Sequence, residues 1–177
     1  NTTIKWAQLL DGTLTPQQTL RHRDVDVEVW MKSLFRERFR PQRMLVANVA
    51  GPAMRERIER EARRLWQITP EFAATEAHAA GVTHAYRDVS THGVDRWLAV
   101  IAAYRLAGGA AALVVDAGTA VTIDAVDARG LHLGGVIIPG LHMMIDSLLA
   151  GTGDIARKAR SIGARDVSAT AGSIEVF

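Results

Sequence analysis

Residues 112–124 read Ala-Leu-Val-Val-Asp-Ala-Gly-Thr-Ala-Val-Thr-Ile-Asp, and the fold turns on how this stretch is parsed. Ala112 to Val115 is an apolar run of strand length, expected to be buried, that ends on the carboxylate Asp116. Ala117-Gly118-Thr119 is a tight turn, and 120–127 resumes the strand pattern. A second turn, Ala128-Arg129-Gly130, leads to a third strand from Leu131 to about Ile138. Connections this short return the chain beside itself, so 112–138 is expected to form an antiparallel meander. Pro139-Gly140 then opens a helix over 140–150 with Leu141, Met144, Ile145, Leu148 and Leu149 at helical spacing. Gly151-Thr152-Gly153 ends it. That apolar stripe suits a core or a subunit interface.

Working towards the N-terminus, Val94, Trp97, Leu98, Ile101 and Leu106 describe a helix over 94–107 that Gly108-Gly109 stops. The segment 71–92 is polar and glycine-punctuated and reads as an irregular excursion. Before it, Gly51-Pro52 opens a helix to about Gln67 with the stripe Met54, Ile58, Ala62, Leu65 and Trp66. Met44 to Val49 reads as a buried strand. Residues 26–39 place Val27, Trp30, Met31, Leu34 and Phe35 on one helical face, and 2–20 reads as a hairpin about Asp11-Gly12. Strands followed by helices over short connections predict an α/β layered fold.

Composition narrows the chemistry. The 177 residues are 48% hydrophobic, enough for one cored domain or two small lobes. With no cysteine, disulfides, thiolate nucleophiles and cysteine-ligated metals are excluded. No run reaches the roughly eighteen apolar residues of a membrane span, and no signal peptide is recognisable; a soluble, cytoplasmic protein is expected. The formal charge of +2 divides into +5 over residues 1–64 and −3 over the rest. The basic residues of 36–64 alternate with Glu37, Glu56, Glu59 and Glu61, which suits a solvated helical face better than a nucleic-acid surface. The chain begins at Asn1 rather than methionine, and it is expected to be a piece of a longer protein.

Two stretches carry candidate chemistry. In Asp116-Ala-Gly-Thr119 a carboxylate precedes a glycine turn and a hydroxyl, the donors a phosphate and its metal ion require; an ordinary turn in which Asp116 accepts its own backbone bonds uses the same residues. Thr122 and Asp124 share one strand face and would extend a wet site, or form a solvated face. In Gly93-Val94-Asp95-Arg96, Asp95 is placed either to cap the helix or to take a proton, and Arg96 to clamp a carboxylate. The histidines at 22, 78, 84, 92, 132 and 142 have no metal-ligand spacing and are expected on the surface or in the polar core. Only His92, beside Gly93, adjoins a candidate site. There is no Gly-Lys-Ser/Thr phosphate loop and no dinucleotide glycine fingerprint.

Taken in order, these pieces resemble the type III pantothenate kinases, a family that also includes the Bvg accessory factor proteins. The matching residues are Asn1-Thr2-Thr3-Ile4-Lys5-Trp6, Asn48-Val49, Gly93-Val94-Asp95-Arg96-Trp97, Asp116 to Asp124, and Gly134-Gly135-Val-Ile-Ile-Pro139-Gly140, within residues 1–153. The resemblance implies the ribonuclease-H-like fold of the actin-like ATPase superfamily, shared with acetate and sugar kinases, Hsp70 and actin, with two lobes around a cleft. The lobes would be 1–111, lacking its first strand and carrying the acceptor-site helix 94–107, and a partial 112–177. The implied reaction is ATP-dependent phosphorylation of pantothenate to 4′-phosphopantothenate, the first step of coenzyme A synthesis.

By the same resemblance Asp95 is the general base, and Tyr86, Gly93, Val94 and Arg96 bind pantothenate. Asn1, Thr2, Asp116, Gly118 and Thr119 bind the phosphates of ATP, and Asp124 a monovalent cation. The implied cofactors are Mg2+ with ATP and K+ or NH4+, and the implied assembly is a homodimer. Residues 154–177 match no part of the family clearly. The alternatives are a non-catalytic regulatory protein of the accessory-factor kind, or an inactive fragment of the kinase.

Overall fold

A computed structural model describes residues 3–21, 26–36 and 40–151. The described residues form β1 (Thr3–Trp6), β2 (Leu9–Leu10), β3 (Thr13–Leu14), β4 (Gln18–Arg21), α1 (Val27–Arg36), β5 (Leu45–Val46), α2 (Pro52–Trp66), β6 (Glu71–Phe72), β7 (His78–Ala79), β8 (Val82–Thr83), α3 (Val94–Leu106), β9 (Ala112–Ala117), β10 (Ala120–Val126), β11 (His132–Pro139) and α4 (Leu141–Gly151). It is a mixed α/β chain with small sheets. The chain divides into two compact units. One takes in residues up to Leu113 together with Ala125–Gly134; the other takes in Val114–Asp124 and the residues from Gly135 onward.

The first unit begins with the expected hairpin. β2 pairs with β3 and β1 with β4, antiparallel, around a turn in which Asp11 (φ 49°) and Gly12 (φ 80°) are both left-handed. That backbone matches the right-handed twist of the strands it joins. α1 and α2 pack their apolar stripes on each other. Val27, Trp30, Met31 and Leu34 meet Ile58 and Ala62, and Trp6 closes edge-on against Trp30 at 5.2 Å. α2 starts at Pro52 and ends on a left-handed Gln67 whose N–H bonds to the Arg63 carbonyl.

Most of the basic surface of α2 is spoken for. Arg57 pairs with Asp26, Arg60 with Glu28, Arg55 with Glu59, and Arg64 with Glu61, while Arg43 before it forms a two-pronged pair with Glu71. Guanidiniums committed this way form a paired, solvated helical face, as the alternation of charges predicts.

Two readings of buried strands are corrected. The run from Met44 to Val49 forms only the two-residue β5, parallel to β6, and Leu45 is 70% exposed. A two-strand ladder covers one face at most, and here the Val46 side is the one packed on the α1–α2 core. In β9, Leu113 and Val115 are exposed among the described residues, with Val114 half-buried between them.

β11, β10 and β9 form one sheet in that order. The connections Gly118–Thr119 and 127–131 are too short for anything but an antiparallel return. The second turn is built by Asp127. Its carboxylate accepts the N–H groups of Arg129 and Leu131 and pairs with the Arg129 side chain, which together hold it below the ordinary aspartate range, the Leu131 N–H contributing most. No residue of α4 is buried. Among the described residues, no helix is long and apolar enough to cross a membrane.

Candidate functional site

The first unit shapes the start of α3. Gly93 is extended (φ −58°, ψ 133°) and passes its carbonyl to the N–H of Trp97, so the helix begins at Val94. Val94, Trp97 and Val100 recur every three residues and are buried together. Their burial turns Asp95 outward, exposed, with Arg96 half-buried beside it. Asp95 Oδ1 accepts the N–H of Arg96 at 2.9 Å, the first-turn arrangement expected of an acidic residue at a helix start. A side chain at position 93 would displace the Asp95 carboxylate: a Cβ there would stand 2.7 Å from Asp95 Oδ1.

The excursion before α3 is more ordered than its composition suggests. β7 and β8 pair as a small antiparallel hairpin, and Thr83 bridges to Leu131. Asp88 caps a short 3-10 turn over Val89–Thr91, taking both the N–H and the hydroxyl of Ser90. Those bonds, the hydroxyl first, hold its carboxyl below the usual aspartate range. Behind Tyr86 three buried histidines meet. His84, His92 and His132 each offer a ring nitrogen within 4.8 Å of the others. The Tyr86 ring lies 5.0 to 5.6 Å from all three, and Trp97 packs on His84 at 4.8 Å.

This convergence corrects the reading that the histidines offer no ligand set, since three of them bring ring nitrogens together. They come from a hairpin end, the residue before Gly93 and the first residue of β11, so no spacing in the sequence announces them. Buried polar-core residues they are, as expected of most.

The hydrogen bonds decide what the trio does. His84 Nδ1 accepts the backbone N–H of Tyr86 at 2.9 Å, so the proton of that ring is on Nε2. His84 Nε2 is 2.8 Å from His92 Nδ1 and donates to it. A metal ion would need the lone pair of His84 Nε2, with its proton on Nδ1 aimed at an acceptor. Nδ1 faces a donor instead. The trio as arranged is a hydrogen-bonded imidazole pair with His132 stacked on His92 at 5.0 Å, and a metal ion held by all three rings would have to displace the His84–His92 bond.

In the second unit β9 carries Asp116, exposed, near its end, and the turn after it holds Gly118 and Thr119. Gly118 spends its N–H on the Ala120 carbonyl at 2.9 Å, and the Thr119 carbonyl accepts the N–H of Gly140 at 3.0 Å. The Gly140 carbonyl in turn takes the N–H of Met144, so the turn lies against the first turn of α4. Gly140 is required by that approach, since a Cβ would overlap the Gly118 carbonyl oxygen and come within 2.6 Å of the Thr119 oxygen. A helix start beside a glycine turn is a favourable place for a phosphate.

Asp124 is 2% exposed, which overturns the reading of the Thr122–Asp124 face as wet. Alternation along β10 tells which residues share a face and leaves open which face is covered. A carboxylate so buried calls for hydrogen-bond donors or a cation.

Of the residues singled out in the sequence, Tyr86, Gly93, Val94, Asp95 and Arg96 thus share the surroundings of the α3 start, and Asp116 at the end of β9 leads into the turn that holds Gly118 and Thr119. Asn1 and Thr2 lie outside the described residues, as does the segment 152–177. Among these neighbours the sequence reading missed His84, while His92 beside Gly93 and Gly140 after Pro139 were already within the stretches it marked.

Comparison with known proteins comes to the same point. A sequence model described as Type III pantothenate kinase matches residues 1–174, which carries the likeness past residue 153 into the tail that the motifs alone left unmatched. A type III pantothenate kinase of Nitrosococcus oceani is 36% identical over 166 residues, 92% of this chain and 62% of the relative. One from Alkalilimnicola ehrlichii is 45% identical over 113 residues, 64% of this chain and 45% of the relative. One from Methylibium petroleiphilum is 46% identical over 116 residues, 63% of this chain and 45% of the relative. The chain therefore spans about 62% of the length of the Nitrosococcus relative.

Proposed function

The chain belongs to the type III pantothenate kinase family, and from that premise we propose that the protein transfers the γ-phosphoryl group of ATP to the primary hydroxyl of pantothenate, giving 4′-phosphopantothenate and ADP. The family implies an actin-like ATPase fold; two lobes around a cleft, a homodimer and a cytoplasmic location belong to the same proposal. The observation that carries it is the start of α3, where the side-chain-free Gly93 lies against an outward carboxylate, Asp95, with Arg96 the next residue along the helix.

The chemistry asked of these residues is modest. Asp95 takes the proton of the acceptor hydroxyl as its oxygen bonds to the γ-phosphorus, and the bond from that phosphorus to the bridging oxygen of ADP breaks. In a loose transfer the base needs little strength, so positioning carries most of the catalysis. Arg96 pairs with the acceptor carboxylate, and Tyr86, Gly93 and Val94 line its path. Asp116, Gly118 and Thr119, with Asn1 and Thr2, hold the nucleotide phosphates, aided by the start of α4. Asp116 would hold Mg2+ and Asp124 K+ or NH4+, and these ions would offset phosphate charge.

The test is pantothenate-dependent ADP release by the full chain with Mg2+ and K+ present. Asp95→Asn is expected to lower kcat by roughly 10²- to 10⁴-fold while pantothenate still binds in calorimetry. Absence of pantothenate-dependent turnover, or an Asp95→Asn variant as fast as the parent, overturns the reading.

A further inference from the structure

Two buried imidazoles have no part in the chemistry above. His84 and His92 nevertheless join the two segments that carry the acceptor residues. His84 lies two residues before Tyr86 and takes its N–H, while His92 immediately precedes Gly93. Between them runs one hydrogen bond of 2.8 Å, donated by His84 Nε2 and accepted by His92 Nδ1. His92 is also fixed through its backbone: its N–H goes to the Val89 carbonyl at 3.1 Å, and its carbonyl takes the Thr75 hydroxyl at 2.9 Å. Ring, amide and carbonyl of His92 are all held. The direction in which the chain leaves Gly93 follows from them, and with it the place of the Asp95 carboxylate.

We propose that His84 and His92 are positioning residues for the phosphate acceptor, which hold Tyr86 and the Gly93–Arg96 opening in one arrangement through a hydrogen-bond chain of fixed polarity. The proposal rests on the acceptor-site reading of Asp95, Arg96 and Tyr86. Neither imidazole touches the acceptor; each acts through a neighbour. Trp97 packs on His84 and His132 on His92, one ring against each member of the pair.

A merely packed core and a positioning chain order the variants at position 92 differently. His92→Leu fills the space with an apolar side chain and strands the His84 Nε2–H. His92→Asn is smaller yet puts an acceptor oxygen near the site of Nδ1. Packing favours leucine; the chain favours asparagine. In the full chain, His92→Leu is expected to lower kcat/KM for pantothenate about 100-fold with KM for ATP within about twofold, and His92→Asn to recover most of it. His84→Asn keeps an acceptor for the Tyr86 N–H but is too short to reach His92, and should behave as His92→Leu does.

Amide hydrogen exchange supplies a readout that needs no turnover. His92→Leu should speed exchange at Asp95, Arg96 and Trp97 by about tenfold relative to the C-terminal turn of α3, and His92→Asn should not. Leucine matching or exceeding asparagine in both measurements overturns the proposal, as does an imidazole 15N spectrum with the His84 proton on Nδ1. If the parent protein fails to turn over pantothenate while the exchange result holds, the acceptor assignment falls and the positioning of the helix start stands.

Discussion

A methyl group on Gly93 would lie 2.7 Å from Oδ1 of Asp95. The backbone at 93 suits any residue, and the atom in the way is the end of a side chain that can swing aside. Gly93→Ala therefore separates stability from function. The loss of a tolerable N-cap and the gain from a stiffer unfolded chain nearly offset, for a net change within about 1 kcal/mol. The carboxylate, however, is displaced, and a fall in kcat of about 100-fold is expected. Thermal melts and pantothenate-dependent ADP release, run on the same preparation, check both halves.

Gly140 gives the contrasting case. The atoms in the way of its Cβ are the carbonyl oxygens of Gly118 and Thr119, and backbone cannot step aside cheaply. Gly140→Ala should cost about 1–3 kcal/mol in denaturant unfolding. On the functional reading it should also raise KM for ATP several-fold and leave KM for pantothenate alone, the reverse of the pattern expected from His92→Leu.

Acid should loosen the first unit through Glu61. This glutamate is 3% exposed on α2, and Arg64 donates to it at 2.6 and 3.0 Å. Chiefly through that hydrogen bond, against the opposing effect of burial, its carboxyl is held below the ordinary glutamate range. A depressed folded value means the stabilisation is present in full above the unfolded value of about 4.3 and is lost as pH falls through the folded one. Glu61→Gln should be less stable than the parent at pH 7 in urea, and the gap should narrow below about pH 4. A gap that stays constant with pH would contradict the ion pair as its source.

The α1–α2 core should be sensitive to volume. Met31 is fully buried there among Val27, Trp30, Leu34, Ile58 and Ala62. Met31→Ala should lower unfolding free energy by about 2–5 kcal/mol, measured by urea titration. The helix stripes were chosen for this core by spacing alone, and a loss below about 1 kcal/mol would mean that the core is loosely packed.

What the sequence made legible was local. Helical spacing finds α1, α2, α3 and α4 to within a residue or three of their described ends, because three- and four-residue recurrence is a property of the segment itself. Asp11-Gly12 and the short connections of β9, β10 and β11 specify hairpins for the same reason. Gly93 and Asp95 were marked as candidates by family resemblance and by the helix start, both readable along the chain. Burial was less legible. Leu45 and Asp124 were assigned to the wrong environment because alternation fixes relative faces and packing fixes which of them is covered. The meeting of His84, His92 and His132 depends on three segments arriving together, and no spacing within one segment encodes that.

The directionality of the His84–His92 bond also constrains how the two positions can change. Exchange one of them for an aliphatic residue and the other keeps a stranded donor or acceptor in the interior, a penalty of about 1–3 kcal/mol. Exchange both together for a well-fitting apolar pair and the stranded ring partner is gone, leaving only the Tyr86 N–H to find a new acceptor. The two sites should thus drift as partners, and a double replacement should prove milder for folding than the worse of its single steps.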